Sequence, residues 1–134
     1  MKKYIYPLIL SAFMLSCAGS SSEEEVVLLV VENNIPSLPS LIAPENNLLC
    51  TNNEVILKWQ ASEDADGDEI NYTIEISEDD GFIEINHSLN TKNNTIAVSL
   101  EKGKAYYWRV KATDKLNETK GYSGVFKFYT EGKA

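Results

Sequence analysis

Histidine occurs once in this chain, at position 87, and cysteine only twice, at 17 and 50. No Cys/His spacing suits zinc, and there is no His-Glu-x-x-His, no Gly-x-Ser-x-Gly and no glycine-rich phosphate loop. Zinc-hydrolase, nucleophile-elbow and phosphate-loop chemistry therefore have no carrier. His87 lies in a polar Asn-His-Ser stretch and reads as a solvated imidazole, so no catalytic residue is expected. Basic residues are scarce as well: 12 Lys and Arg stand against 20 Asp and Glu, a net charge of −8. So acidic a surface repels phosphate backbones and excludes nucleic acid as an expected partner. Helical periodicity is missing after residue 36, and long apolar runs are missing throughout. The longest apolar run, Tyr4 to Leu15, is too short to span a hydrocarbon core of ~30 Å as a helix.

That run has another use. Lys2 and Lys3 precede it, and the small residues Ser16 and Ala18 flank Cys17. A basic start, a short apolar stretch and small residues are the layout of a secretory signal peptide, here residues 1–16. Two cysteines in an exported chain invite a Cys17–Cys50 disulfide. Against it, Cys17 sits in a Ser/Gly/Glu stretch that a bridge would order little. The segment resembles the signal of bacterial lipoproteins, in which the Cys becomes the first mature residue and is acylated. Met14 and Leu15 depart from the usual pattern, in the manner of lipoproteins from Bacteroidetes-type bacteria. The following Ser22, Glu23, Glu24 and Glu25 resemble the acidic export signal of that group. The resemblance implies lipidation of Cys17, a membrane partner reached through the lipid, and display on the outer face of the cell outer membrane.

Residues 17–35 then form a tether with one anomaly. Val26 to Val31 reads VVLLVV between two glutamates. An exposed run of this kind is aggregation-prone, so it is expected either to pack on the folded domain as an extra strand or helix start, or to add to the sheet edge of a partner.

From Pro36 onward, apolar residues alternate with polar ones. Val55, Leu57 and Trp59 share a face, as do Tyr72, Ile74 and Ile76; Ile96, Val98 and Leu100; Tyr106, Trp108, Val110 and Ala112; and Phe126 and Phe128. Asp66-Gly67, Asp80-Gly81, Lys102-Gly103, Gly121 and Gly124 punctuate the runs. Alternation with turns at this spacing predicts an all-β fold, an antiparallel β-sandwich of about seven strands over residues 36–131. Trp59 and Trp108 should order the packing between its sheets. The stretches VILKW, YTIEISEDDGF, LEKGKAYYWRVKATD and SGVFKFYT resemble strands B, C, F and G of fibronectin type III domains. Leu100 and Tyr106 keep that family's six-residue spacing at the E–F corner. The resemblance implies a corner tyrosine bonded to upstream backbone, and it implies little about function. Cys50 falls where the family needs no cysteine and reads as a half-buried small apolar residue.

Two clusters carry candidate chemistry. Asp64, Asp66 and Asp68 alternate around Gly67, like the start of a calcium loop. The same letters also make an ordinary acidic turn, and Glu75, twelfth in that count, should instead lie on a strand. On the outer face of strands C, F and G, Tyr107 and Tyr129 could stack on a sugar ring or anchor a protein. Cross-strand pairing of Glu75 with Arg109 or Lys111 is the competing use of that face. The expected function is a membrane-anchored, non-catalytic module for protein interaction or adhesion. It would act through loops 61–69 and 114–122, which should meet at one pole. The alternative is a glycan-binding accessory lipoprotein using Tyr107 and Tyr129. No cofactor is expected apart from the calcium just considered.

Overall fold

A computed structural model describes residues 3–7 and 28–132. Cys17 and Ser22 to Glu25 lie outside the described residues. The chain divides into two compact units, residues 1–34 and 35–134. In the first, β1 (Lys3–Pro7) pairs antiparallel with β2 (Leu28–Glu32), Lys3 opposite Glu32 and Pro7 opposite Leu28. Leu28 to Val31 of the apolar run thus lie in a strand, paired with Lys3–Pro7 of the same unit and not with a strand of the sandwich. No described helix is long and apolar enough to cross a membrane.

Among the described residues the second unit has eight strands: β3 (Ser40–Ala43), β4 (Leu48–Cys50), β5 (Glu54–Gln60), β6 (Asn71–Ser77), β7 (His87–Thr91), β8 (Thr95–Ser99), β9 (Ala105–Thr113) and β10 (Phe126–Thr130). They form a three-stranded sheet, β3-β5-β8, and a five-stranded sheet, β4-β10-β9-β6-β7. Eight strands agree with the expected sandwich of about seven. After Pro44 the chain leaves β5 and joins the opposite sheet beside β10, with Phe128 opposite Leu48 and Thr130 opposite Cys50. That pairing is parallel, the one departure from the antiparallel ladders of the two sheets.

Period-two alternation places the core as expected. β5 runs exposed-buried without a break, and Val55, Leu57 and Trp59 point inward. Ile74 and Ile76 of β6, Trp108 and Val110 of β9 and Phe128 of β10 meet them from the other sheet, all fully buried. Each fully buried aliphatic side chain contributes about 1.5–3 kcal/mol by leaving water. Trp59 packs edge-on against Tyr72, ring centroids 5.3 Å apart, and Trp108 against Phe126 at 6.4 Å. The Tyr72 hydroxyl accepts a hydrogen bond from the Ser62 backbone N–H at 2.8 Å, joining the core to the loop after β5.

The two ends of the unit lie at opposite poles. At the entry, Ser37 N–H donates to the Glu63 carbonyl, and Glu63 N–H donates back to Ser37 Oγ. At the exit, Thr130 and Glu131 bond to Lys104, Glu101 and Gly103 of the β8–β9 corner. Gly103 holds φ +72° there, with a position for Cβ 3.3 Å from Gly132 Cα, so a side chain would strain the turn and crowd the exit strand's end. Tyr106 hydrogen-bonds the backbone of Glu101 at this corner, and its burial pushes the phenol pKa up. This is the corner tyrosine that the Leu100–Tyr106 spacing implied.

Candidate functional site: the outer face of the five-stranded sheet and the acidic pole

Strand register assembles the outer face. Glu75 of β6 stands opposite Arg109 of β9, and Ser77 opposite Tyr107. Lys127 of β10 stands opposite Tyr107 on its other side, and Leu49 of β4 beside Tyr129. Side chains two apart on a strand share a face, so Tyr107, Arg109 and Lys111 line up, flanked by Lys127 and Tyr129.

Arg109 organises one half of this face. Its guanidinium lies between two rings, 4.1 Å from the centre of Phe82 and 3.9 Å from that of Tyr122. It also donates to Glu75 Oε1 at 3.3 Å. The cross-strand pair read from the alternation is thus made with Arg109. Glu75 is only 9% exposed although it points away from the core. Burial, then a hydrogen bond to Glu75, pushes the Tyr122 phenol up to about 12. Lys111 reaches the same ring at 5.0 Å.

Lys127 organises the other half. Its ammonium lies 4.9 Å from the Tyr129 ring centre and 5.3 Å from that of Tyr107. Hydrogen bonding to Tyr129, then to Tyr107, raises its pKa. The structure therefore brings the two predicted tyrosines together, with a lysine between them that the glycan reading had not included.

The acidic pole is assembled differently from the expectation. Carboxylate oxygens of Asp64, Asp68 and Asp114 lie within 4.8 Å of one another. Asp66 is not one of the three. Gly67 holds φ +71° and donates to the Asp64 carbonyl at 3.0 Å, while Asp66 N–H donates to Asp64 Oδ1 at 2.8 Å. That tight turn brings Asp64 and Asp68 to one side, and the loop after β9 supplies Asp114. Asp114 Oδ1 accepts from the N–H groups of Leu116 and Glu118, and Lys115 pairs with Asp68 at 2.8 Å. Loops 61–69 and 114–122 do meet, as expected. Asp64 Oδ2 is buried with no hydrogen-bond partner.

Two other positions differ from expectation or complete it. His87, read as an exposed solvated residue, opens β7 and is half-buried. It lines a polar cleft of about 400 Å³ with Glu78, Glu101, Lys104 and Tyr106. Pairing β7 with β6, His87 opposite Ile76, holds it against the sheet edge. Lys104 bridges Glu78 at 2.7 Å and Glu101 at 2.8 Å, which holds its pKa above the ordinary lysine value and the Glu101 carboxyl below its own. Cys50 is a half-buried free thiol, and partial burial pushes its pKa up.

Comparison with known proteins agrees with this architecture. The model of the fibronectin type III domain matches residues 43–125, and the chain belongs to that family. Such domains are generally non-catalytic modules for binding or linking. No curated protein matches the chain. Among solved structures, it is similar to the fibronectin type III domain of human fibronectin type III domain containing protein 3 (18% identity, TM-score 0.58). That alignment covers 77% of this chain and 93% of the other. It is also similar to the fibronectin(III)-like modules of Clostridium thermocellum CbhA (17%, TM-score 0.53, 72% and 100% covered). Part of an alpha-L-rhamnosidase from Dictyoglumus thermophilum aligns as well (19%, TM-score 0.54), with 76% of this chain covered but only 13% of the rhamnosidase. At these identities the likeness is one of fold.

Proposed function

We propose that the protein is a lipid-anchored, non-catalytic binding module of the cell outer membrane, and that it binds glycans through the outer face of its five-stranded sheet. The observation that carries the binding site is the pairing of Tyr107 and Tyr129 across Lys127 on one exposed sheet face. Rings that share a lysine between them lose little freedom on stacking against a sugar. Loops 61–69 and 114–122, the expected protein-binding elements, are by contrast tied to each other through Asp68 and Lys115. They also adjoin the entry of the chain at Ser37. The test is retention on polysaccharide gels. Wild type should be retarded and Tyr107→Ala and Tyr129→Ala should migrate freely; wild type running unretarded on a broad panel sinks the glycan reading.

Anchoring rests on Cys17 and surface export on Ser22 to Glu25. Cys17→Ala should abolish fatty-acid labelling and release the protein from membranes. Replacing Glu23, Glu24 and Glu25 with Ala should leave labelling intact and remove the protein from reach of external protease. Persistent membrane binding by an unlabelled wild type would refute the anchor.

A second reading has an observation of its own. The buried, unpartnered Asp64 Oδ2, beside Asp68 and Asp114, supports calcium at the acidic pole, since Ca²⁺ takes 6–8 oxygen ligands. The sequence trio becomes Asp64, Asp68 and Asp114 in this proposal, with Asp66 shaping the turn through its backbone. EDTA should then lower the melting temperature of the wild type and leave that of Asp64→Asn unchanged. An identical melting curve with and without EDTA argues against a bound ion.

A further inference from the structure

We infer that the ligand of the Tyr107–Lys127–Tyr129 face is an anionic glycan, one whose sugar rings carry carboxylates, and that Lys127 is its charge-reading contact. The inference rests on the glycan reading above and names the class of sugar.

Three observations support it. The first is charge. The chain is strongly acidic, yet the outward set on the three middle strands holds Arg109, Lys111 and Lys127 and a single carboxylate, Glu75. Glu75 is consumed by Arg109. The second is the partner set of Lys127. Lys92, Lys104, Lys115 and Arg109 each pair with a carboxylate. Among the described residues Lys127 is engaged only by two neutral phenols. A phenol oxygen that accepts from the ammonium still has its own O–H to donate. Lys127 and the two tyrosines thus place an ammonium and two hydroxyls together with no carboxylate paired to them. Such a set favours an oxyanion over a neutral hydroxyl, because charge-assisted hydrogen bonds are roughly twice as strong as neutral ones.

The third is shape. Tyr129 is 37% exposed, and Leu49 beside it is 54% exposed. Together they make an apolar ledge next to the donors. A pyranose ring has an apolar C–H face and, in a uronic acid, a carboxylate at its rim. The ring can lie on the ledge while the carboxylate meets Lys127. An acidic peptide would use the charge and leave the flat ledge without a function.

The experiment is affinity electrophoresis of the full chain in gels containing polygalacturonate, its fully methyl-esterified form, or polyglutamate. Retardation by polygalacturonate alone, weakening as salt is raised, is the expected result, because exposed charge interactions are screened over ~10 Å at 0.1 M. Lys127→Ala should weaken retardation about tenfold, the scale of one charge-assisted contact, with Lys127→Arg retaining part of it. Lys127→Gln, which keeps the stem and removes the charge, should match the alanine variant and guards against a packing defect. Equal retardation by the esterified polymer leaves the glycan reading standing and overturns the anionic one. Equal retardation by polyglutamate overturns it in favour of a peptide ligand. No retardation by any glycan overturns both readings.

Discussion

The two sheets turn very different faces to solvent. On the three-stranded sheet, Glu54, Ile56, Lys58 and Gln60 of β5 are all exposed, and so are Thr95, Ala97 and Ser99 of β8. No ring stacks there and no carboxylate pairs with Lys58 among the described residues. On the five-stranded sheet, the outward residues of β9 are half-buried at every second position, and Glu75 is almost fully covered. Both faces obey the same alternation. They differ because one carries short or isolated side chains, and the other carries Arg, Lys and Tyr long enough to reach their neighbours. Outward-facing and solvent-exposed are thus separate properties, and the second is set by what stands on the adjoining strand.

The comparison can be broken from the inside outward. Trp108→Ala removes a fully buried ring behind the laced face and should cost about 3–5 kcal/mol in urea denaturation; a loss below 1 kcal/mol would contradict the packing described. Arg109→Ala leaves Glu75 covered with no cation beside it and removes the group that Phe82 and Tyr122 both contact. It should cost about 1–3 kcal/mol, whereas Lys58→Ala on the bare face should fall within about 0.5 kcal/mol of wild type. Equal costs would erase the distinction between the faces.

Titration tests the same contrast with smaller effects. The Tyr122 phenol titrates at about 12 when folded, against an ordinary 10.0. A raised acid pKa means that the folded state holds its proton longer. The associated stability is fully present below about pH 10 and is lost as pH rises to about 12. Absorbance at 295 nm should show a late phenol near pH 12 that Tyr122→Phe deletes, while Tyr106, also raised by burial, remains above the ordinary value. At the acid end, Asp79 accepts from the Ile83 N–H at 3.0 Å, and backbone hydrogen bonds from Ile83 and Gly81 lower its pKa. Its contribution is present above the ordinary carboxylate pKa and fades as pH falls through the lowered one. Amide exchange at Ile83 should accelerate there, and Asp79→Asn should remove the acid dependence. The smallest expected change is Ile56→Thr, which should leave the melting temperature nearly unmoved.

Much of this was legible in the chain itself. Alternation located five strands and their inward faces, because a period of two is a local property. The E–F corner was legible from the Leu100–Tyr106 spacing, and the Glu75–Arg109 pair from facing strands. What escaped the reading depends on contacts distant in sequence. β4 is three residues long, its leucines stay exposed, and only pairing with β10, nearly eighty residues later, makes it a strand. Asp114 joins Asp64 and Asp68 because two loops converge. Phe82 reaches Arg109 through a turn, not along a strand, and so gave no periodic signal. Cys17 and Ser22 to Glu25 were read by resemblance and lie outside the described residues.

The parallel pairing of β4 with β10 has a mechanical consequence. β4 follows β3, the first strand of the sandwich, and β10 is the last strand before the chain leaves. Pulling the two ends apart draws β4 toward its own start and β10 toward its own end. Because the strands run the same way, these pulls are opposed along a shared axis. Their hydrogen bonds are then loaded together, in shear, instead of opening one after another like a zip. A chain held by its first segment and tugged at its far end would load the Ser37–Glu63 bonds and β3 first, and then Leu48 to Cys50. That gives a three-residue strand, of which only Cys50 packs against the core, a role in resisting force.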